Sequence, residues 1–186
     1  MVESDSGLKY SKVFGTNWKN QRQFDDTPFI IDLGEDVKVG GIELYSTTFL
    51  AGLQIFYDNG QLVSNDMYIA NDPSKTIERE DNIEYYTNKN EKIKSNFLKI
   101  DKDDKISKVI LYAGDIIDGI EFCTNNGKSA HGGGYGGSKL TFDCEEMGLD
   151  FVGIKGSIAD ISQGNYYWTV HSLVLIFKGK GEIKIK

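Results

Sequence analysis

The chain has 186 residues and a formal net charge of −7 at pH 7. This length predicts one domain over residues 1–186 with a core of its own, and an acidic surface repels phosphate backbones, which argues against a nucleic-acid partner. The longest apolar runs, such as SLVLIF (Ser172–Phe177), are only strand-length, so we expect no membrane insertion.

The N-terminal residues MVESDSGLKY contain neither a basic n-region nor an apolar h-region. They therefore predict no signal peptide. We expect a protein that is cytoplasmic or exported by a non-classical route.

Apolar and aromatic residues alternate with polar ones over short runs along the chain. In order these runs are GGIELYS, LQIFYDNG, SKVILYAG, GIEFCTN, KLTFDC, FVGIKGS and HSLVLIFK. A period of two, bounded by Gly, Asn and Asp, predicts β-strands. Only SKTIEREDNIEYY (Ser74–Tyr86) tolerates a helix. The sequence thus predicts an all-β sandwich, barrel or prism.

An internal repeat divides these strands into units. Lys38–Gly60 aligns without a gap to Lys105–Gly127, an offset of 67 residues (105 − 38). A looser third copy begins at Leu149–Ser157 and ends in HSLVLIFK. Three similar strand pairs predict pseudo-threefold symmetry. The polar stretch at about 65–96 is interpreted as a long surface insertion in one unit, with an ordinary loop as the alternative.

An acidic turn and a glycine run follow each other in the second unit. The turn is Gly114-Asp115-Ile116-Ile117-Asp118, and the run is GGGYGG (Gly132–Gly137). An ionised Asp accepts strong hydrogen bonds from neighbouring sugar hydroxyls, and glycines let a second backbone approach closely. The residues alone leave two alternatives open: a sugar site, or an Asp that caps a β-turn beside a flexible hairpin end.

The other chemical motifs in the chain are incomplete. The run also matches G-x-G-x-x-G, but SKLTFDCEE after it predicts a strand where a dinucleotide site needs a helix. Asp101–Tyr112 has the acidic spacing of a calcium loop without its central glycine. His131 and His171 stand alone, so we predict no metal and no cofactor.

Catalysis is not expected either. A glycosidase needs two carboxylates roughly 5–10 Å apart across a cleft, whereas Asp115 and Asp118 share one tight turn.

Cys123 and Cys144 flank the glycine run and would lie near each other if it closes a hairpin. Two cysteines in 186 residues are more typical of free thiols in a reducing compartment.

Several segments of the sequence resemble a known family. ILYAGDIIDGIEFCTNNGKSAHGGGYGGSKLTF and EEMGLDFVGIKGS resemble the jacalin-related lectins, most closely their mannose-binding members, and Phe14–Asp26 resembles that family's opening segment. The resemblance implies a β-prism of three four-stranded Greek-key sheets around a pseudo-threefold axis. VGGIELY, SKVILYAG and FVGIKGS would begin the three keys.

The resemblance also implies a sugar site between the turn and the glycine run. Asp118 would accept from O4 and O6, the N–H groups of the turn would donate to O5 and O6, and those of the glycine loop to O3 or O4. Asp115 would mainly shape the turn. The implied partners are mannose- or glucose-containing glycans or glycoproteins. The implied carbohydrate-binding residues are Gly114, Asp115, Ile116, Ile117, Asp118, Gly136 and Gly137.

Two of the three keys depart from the family pattern. Ala51 stands where Asp118 would be in the first key, and His171 lies near that position in the third, whose facing loop has lost its paired glycines. Tyr166–Trp168 suits packing better than an aromatic platform for a sugar. We therefore predict one intact site, with an adhesion or structural module that has a non-functional sugar site as the alternative. Members of this family commonly pair their subunits, so the resemblance implies a homo-oligomer.

Overall fold

The structure, a computed structural model, describes residues 7–17, 21–87, 89–158 and 169–186. Sixteen strands dominate this part of the chain. They are β1 Leu8–Tyr10, β2 Phe14–Gly15, β3 Arg22–Asp25, β4 Val39–Ser46, β5 Leu50–Asp58, β6 Leu62–Ser64, β7 Tyr68–Ile69, β8 Ile77–Arg79, β9 Asn82–Tyr86, β10 Lys92–Lys99, β11 Ile106–Ala113, β12 Ile117–Thr124, β13 Ser129–Gly133, β14 Ser138–Asp143, β15 Leu149–Ile158 and β16 Val170–Gly179. Two short α-helices accompany them: α1 Thr27–Leu33 and α2 Cys144–Met147. None of the helices described has the length and apolar character needed to cross a membrane.

The strands form three antiparallel sheets, named here by their central hairpins. Sheet I surrounds β4–β5, sheet II surrounds β11–β12, and sheet III surrounds β15–β16. Sheet II has the order β13-β12-β11-β14, and sheet I contains the same arrangement as β6-β5-β4-β10. In each, the fourth strand returns to lie beside the first, which is a Greek key. The predicted all-β prism of Greek-key sheets is confirmed.

Two sheets differ from the expected four strands. Within the described residues sheet I has seven strands and sheet III has five. The extra strands of sheet I are β7, β8 and β9, which come from the polar stretch at 65–96. Ser74–Tyr86, the one segment that tolerated a helix, forms a 3₁₀ turn at Pro73–Lys75 followed by β8 and β9. Pairing with β10 at Tyr85↔Ile93 and Tyr86↔Lys92 decides its conformation.

The three central hairpins share one geometry. β4–β5 has register shifts at Val39/Gly41 and Tyr45/Ser46. β11–β12 has them at Ile106/Lys108 and Tyr112/Ala113, 67 residues later. β15–β16 has them at Phe151/Gly153 and Ser157/Ile158, a further 45 residues on (151 − 106). Because a β-bulge re-aims the strand that carries it, three pairs of bulges at matching positions confirm the predicted pseudo-threefold repeat.

The core lies between the three sheets. Alternation along each strand sends every second side chain inward, so Ile42 and Leu44 of β4 are fully buried whereas Glu43 between them faces outward. Leu111 of β11 and Leu173 of β16 are also 0% exposed. Phe142 stacks against Phe177 at 5.8 Å between ring centroids, joining sheets II and III.

A buried carboxylate ties helix α1 to two sheets. Asp26 is 1% exposed and accepts hydrogen bonds from the hydroxyl of Tyr68 at 2.9 Å and from the backbone N–H of Ile154 at 3.2 Å. Tyr57 donates to it more weakly, at 3.4 Å. Burial raises the pKa of Asp26 to about 6, although these hydrogen bonds oppose the shift. The charge of this group is therefore tolerated at a cost to stability.

Both cysteines are free thiols. Cys144 is buried at the start of α2, and burial raises the pKa of its thiol to about 12. Cys123 on β12 is partly exposed and lies 3.5 Å from Oε2 of Glu121. The hairpin arrangement that would pair the two cysteines does not lead to a disulfide in this structure.

Candidate functional site

The acidic turn connects β11 to β12 at one end of sheet II. The N–H of Gly114 donates to the carbonyl of Ile116 at 3.0 Å, which closes the turn. Ile117 is fully buried and pairs with Ala113. Neighbouring residues of a strand face opposite sides. Because the side chain of Ile117 lies in the core, the side chain of Asp118 faces away from the core at this end of the sheet.

The glycine run crosses directly over Asp118. The N–H of Gly134 donates to the backbone carbonyl of Asp118 at 2.7 Å. A Cβ atom placed on Gly136 would lie 2.9 Å from Oδ1 of that residue, and one on Gly137 would lie 2.9 Å from Oδ2. Both glycines thus lie against the carboxylate, and any larger residue would displace it. The structure brings together the turn and the loop that the sequence predicted as the two sides of a site.

The two halves of the glycine run have different roles. Gly132 packs against sheet I, where a Cβ atom would lie 2.8 Å from Cβ of Leu44. The N–H of Gly133 donates to Oγ of Ser46 at 2.8 Å, and a Cβ there would lie 2.6 Å from the backbone nitrogen of Leu50. These first glycines hold sheets I and II together, so the run is more than a flexible hairpin end.

The carboxylate of Asp118 is partly buried and has unused acceptor capacity. Burial raises its pKa, and the residue's own backbone N–H opposes the shift. In the described part of the chain no other residue donates a hydrogen bond to it. The N–H groups of Asp115, Ile116, Gly136 and Gly137 likewise have no backbone carbonyl partner among the described residues. The Asp118 carboxylate and these N–H groups therefore belong to one turn and to the glycine run that lies against it.

The equivalent positions in the other two sheets carry different side chains. Leu50, Ile117 and Val170 close the three hairpins, so the next residues, Ala51, Asp118 and His171, are structural equivalents. Ala51 is completely buried. His171 is 1% exposed, and its Nδ1 lies 2.7 Å from Nε2 of Gln21. Neither of these two residues presents a carboxylate at the prism end.

The backbone around these positions is nevertheless repeated. The carbonyl of Ala51 accepts from the N–H of Ala70 at 2.7 Å, and that of His171 accepts from Thr16 at 2.9 Å, as Asp118 accepts from Gly134. Two and three residues beyond Ala70, sheet I has Asp72 and Pro73 where sheet II has its glycines. Of the N-terminal loop expected to face the third key (NWKNQRQFDD, 17–26), residues 18–20 lie outside the described residues. The aromatic segment Tyr166–Trp168 lies outside them as well.

Sequence reasoning missed an aromatic cluster beside the site. Tyr135, in the middle of the glycine run, is 66% exposed and stacks on His131 at 4.1 Å with an interplanar angle of 13°. Tyr112 meets Tyr135 edge-on at 5.2 Å. Nε2 of His131 lies 3.0 Å from the carbonyl of Gly134, so the imidazole supports the loop. The cluster combines two strands, β11 and β13, with the loop that follows β13, and no local pattern reveals it.

No metal centre is evident in this part of the molecule. Among the residues described, no three His, Cys, Asp or Glu side chains are grouped so as to hold an ion.

No family model and no curated relative matches the chain, but solved structures do. A mannose-specific jacalin-related lectin from Morus nigra, solved with mannose, matches with a TM-score of 0.65 and 17% identity over 96% of this chain and 99% of that one. A mannose-binding jacalin-related lectin from Ananas comosus matches with a TM-score of 0.61 and 12% identity, over 94% and 99%. Artocarpin in complex with methyl-α-mannose matches with a TM-score of 0.64 and 16% identity, over 92% and 97%.

The chain has the fold of the jacalin-related lectins. This confirms the fold that the sequence resemblance implied, across nearly the whole chain. At such low identity the likeness establishes the jacalin-like fold, and the residues of the site must be argued from their own geometry.

Proposed function

We propose that the protein is a lectin of the jacalin-related family that binds mannose- or glucose-type glycans at the Asp118 end of sheet II. Two findings support this. Two structural neighbours are named as mannose-specific or mannose-binding lectins, and a third was solved with methyl-α-mannose. The chain also has, in one of its three sheets, a carboxylate that lies against the backbone of two glycines.

The observation that carries the proposal is the contact between the Asp118 carboxylate and the backbone of Gly136 and Gly137. A sugar hydroxyl both donates and accepts. In the proposed complex the ionised carboxylate accepts from two adjacent hydroxyls, O4 and O6. The N–H groups of the turn donate to O5 and O6, and those of the two glycines donate to O3 or O4.

No catalytic step is part of this function. Asp115 and Asp118 belong to a single turn, and two of the structural neighbours are named as lectins. Binding alone accounts for a shallow region with one carboxylate.

A single shallow site of this kind binds a monosaccharide at about millimolar Kd, or roughly −4 kcal/mol. Useful avidity then requires several sites in one particle. We propose that the protein self-associates. Light scattering at high concentration measures this directly, and a monomer mass throughout the range would contradict it.

The test is a glycan array probed with the multivalently displayed wild-type protein and with Asp118→Ala. Glu145→Gln is the matched control, because it removes an exposed carboxylate on α2 at the opposite end of sheet II. We expect mannose- and glucose-type signals for wild type and control, and none for Asp118→Ala. Equal signals from all three proteins would refute the site.

The second candidate function is a scaffold for protein contacts with an inactive sugar site. The observation that favours it is the replacement of the carboxylate by Ala51 and His171 at the two equivalent positions. A blank array for a folded, multivalent wild-type protein would support this candidate over the lectin.

A further inference from the structure

The outer face of sheet I carries a cleft that the jacalin-like fold does not explain. Strand β4 points Ile42 and Leu44 into the core, so its alternate residues Glu43 and Tyr45 face the opposite side. The turn between β8 and β9 stands beside this face. Together they enclose a cleft of about 610 Å³ between residues 78–83 and a floor that includes Glu43, Tyr45, Tyr85 and Ile93.

The floor of the cleft is aromatic and well packed. Tyr45 and Tyr85 meet edge-on at 6.3 Å between ring centroids. Tyr45 is 7% exposed and Ile93 is 5% exposed, and both belong to a small hydrophobic cluster that is separate from the main core. The hydroxyl of Tyr45 donates to Sδ of Met67 at 3.4 Å. These rings are held in place before any ligand arrives.

A carboxylate in this floor lacks a hydrogen-bond donor. Oε2 of Glu43 is buried and has no partner among the described residues. Burial raises the pKa of Glu43, and the proximity of Glu43 contributes, after burial, to the raised pKa of Tyr45. A buried carboxylate oxygen without a donor is unusual in a folded protein, and a cation bound nearby would compensate its charge.

The rim adds more negative charge. The cleft is lined by four carboxylates, those of Glu43, Glu78, Glu80 and Asp81, and by the single guanidinium of Arg79. That guanidinium is already paired, since Nε of Arg79 lies 3.1 Å from Oε1 of Glu84. The charge of the cleft is therefore complementary to a cation.

We propose that this cleft is a docking site for a lysine or arginine side chain of a protein partner. The carboxylate of Glu43 would attract the cationic head group from the floor. The rings of Tyr45 and Tyr85 would contact the head group and the aliphatic stem, as in cation–π recognition. The site is independent of the proposed sugar site, because it uses a different sheet and none of the same residues.

The test is an amide NMR titration of the full chain with acetyl-Lys-Lys-Lys-amide at low ionic strength, with acetyl-Gln-Gln-Gln-amide as the neutral probe. We expect saturable shifts confined to residues 43–45, 78–85 and 93–95, and none of these shifts with the glutamine peptide. Glu43→Gln keeps the size of the side chain and should lower the affinity for the lysine peptide by about tenfold or more, since a charge-assisted contact is lost. Tyr85→Ala should lower the same affinity independently.

Glu145→Gln removes the same charge far from the cleft and should leave the affinity for the lysine peptide unchanged. Methyl-α-mannoside titrations of Glu43→Gln should match wild type, which separates this site from the lectin proposal. Equal affinities of wild type and Glu43→Gln for the lysine peptide would overturn the proposal. So would shifts spread over the whole acidic surface, or equal binding of the glutamine peptide.

Discussion

The turn end of sheet II and the equivalent end of sheet I share one backbone frame but expose different groups. In both, a hairpin with the same register shift offers a carbonyl, that of Asp118 or Ala51, to a loop N–H at 2.7 Å. Sheet II adds a carboxylate and two glycines to this frame. Sheet I adds a buried methyl group and the sequence Asp72-Pro73. The pseudo-symmetry of the fold thus repeats the backbone arrangement, while a few side chains determine whether a carboxylate acceptor is present.

At this end of sheet I, the hydrogen bonds of Asp72 show how the loop differs from the glycine run of sheet II. Asp72 is 5% exposed and accepts from the N–H and Oγ of Ser74 at 3.0 and 2.7 Å. Its own N–H donates to the carbonyl of Tyr86. The polar stretch at 65–96 therefore provides hydrogen-bond partners for its own backbone at this end, whereas the N–H groups of Gly136 and Gly137 have no backbone carbonyl partner among the described residues.

The largest effect should come from removing the charge that distinguishes sheet II from sheet I. Asp118→Asn keeps the size of the side chain but removes its charge and half of its acceptor capacity. We expect affinity for methyl-α-mannoside to fall by about a hundredfold, since hydrogen bonds to charged groups contribute about 1.5–3 kcal/mol each. Titration calorimetry measures the affinity. Unfolding in urea should change by less than about 0.5 kcal/mol, and unchanged affinity would contradict the assignment.

Gly137→Val should break the other side of the site. Gly137 has a φ of +72°, and a Cβ there would lie 2.6 Å from the carbonyl oxygen of Ala113, so we expect loss of binding together with about 1–3 kcal/mol of destabilisation. Gly127→Ala is the control, because Gly127 has a φ of +87° but open space around it. This control should cost about 1 kcal/mol and retain full sugar affinity. Normal binding by Gly137→Val would place the sugar elsewhere.

Asp26, which joins sheets I and III, should show how a buried carboxylate affects stability instead of binding. Its pKa rises from 3.8 to about 6 on folding. Its contribution is therefore complete below pH 3.8 and is lost as the pH rises through 6. We expect this group to lower the free energy of unfolding by about 2–3 kcal/mol between pH 4 and pH 8.

Urea unfolding of wild type and Asp26→Asn across that range measures the difference in pH dependence. Asp25→Asn, an exposed neighbour, is the control and should follow the wild-type profile. If Asp26→Asn has the same pH dependence as wild type, the shift assigned to Asp26 is wrong.

The smallest effect concerns the pH dependence of sugar binding. Burial raises the pKa of Asp118, and only the ionised form accepts from two hydroxyls. As the pH is lowered, affinity for methyl-α-mannoside should therefore begin to fall at a higher pH than it would for an Asp with an unshifted pKa, by no more than about tenfold per pH unit. Calorimetric titrations from pH 8 to pH 4 test this. A constant affinity down to pH 4 would show that the carboxylate is not the acceptor.

Much of the strand arrangement, and the turn that carries Asp118, could be predicted from the sequence. The two-residue alternation that marks LQIFYDNG and SKVILYAG identifies strands because one face of each must be buried. The 67-residue repeat identifies equivalent hairpins because the same bulges recur in each. The acidic turn at Asp118 could be named as a candidate site because a short motif places the carboxylate and the turn N–H groups on adjacent residues.

Tertiary structure decided the rest. Contact between Asp118 and Gly136–Gly137, the stacking of Tyr135 on His131, and the cleft above Glu43 each combine strands whose neighbours depend on sheet order. The strands β8 and β9 formed in a stretch that the sequence predicted as a polar insertion or loop, because β9 pairs with β10 and β8 pairs with β9. Local patterns specify which face of a strand is apolar. Only the order and pairing of the strands within each sheet specify which faces and turns meet. The site depends on that order in sheet II, and the cleft depends on it in sheet I.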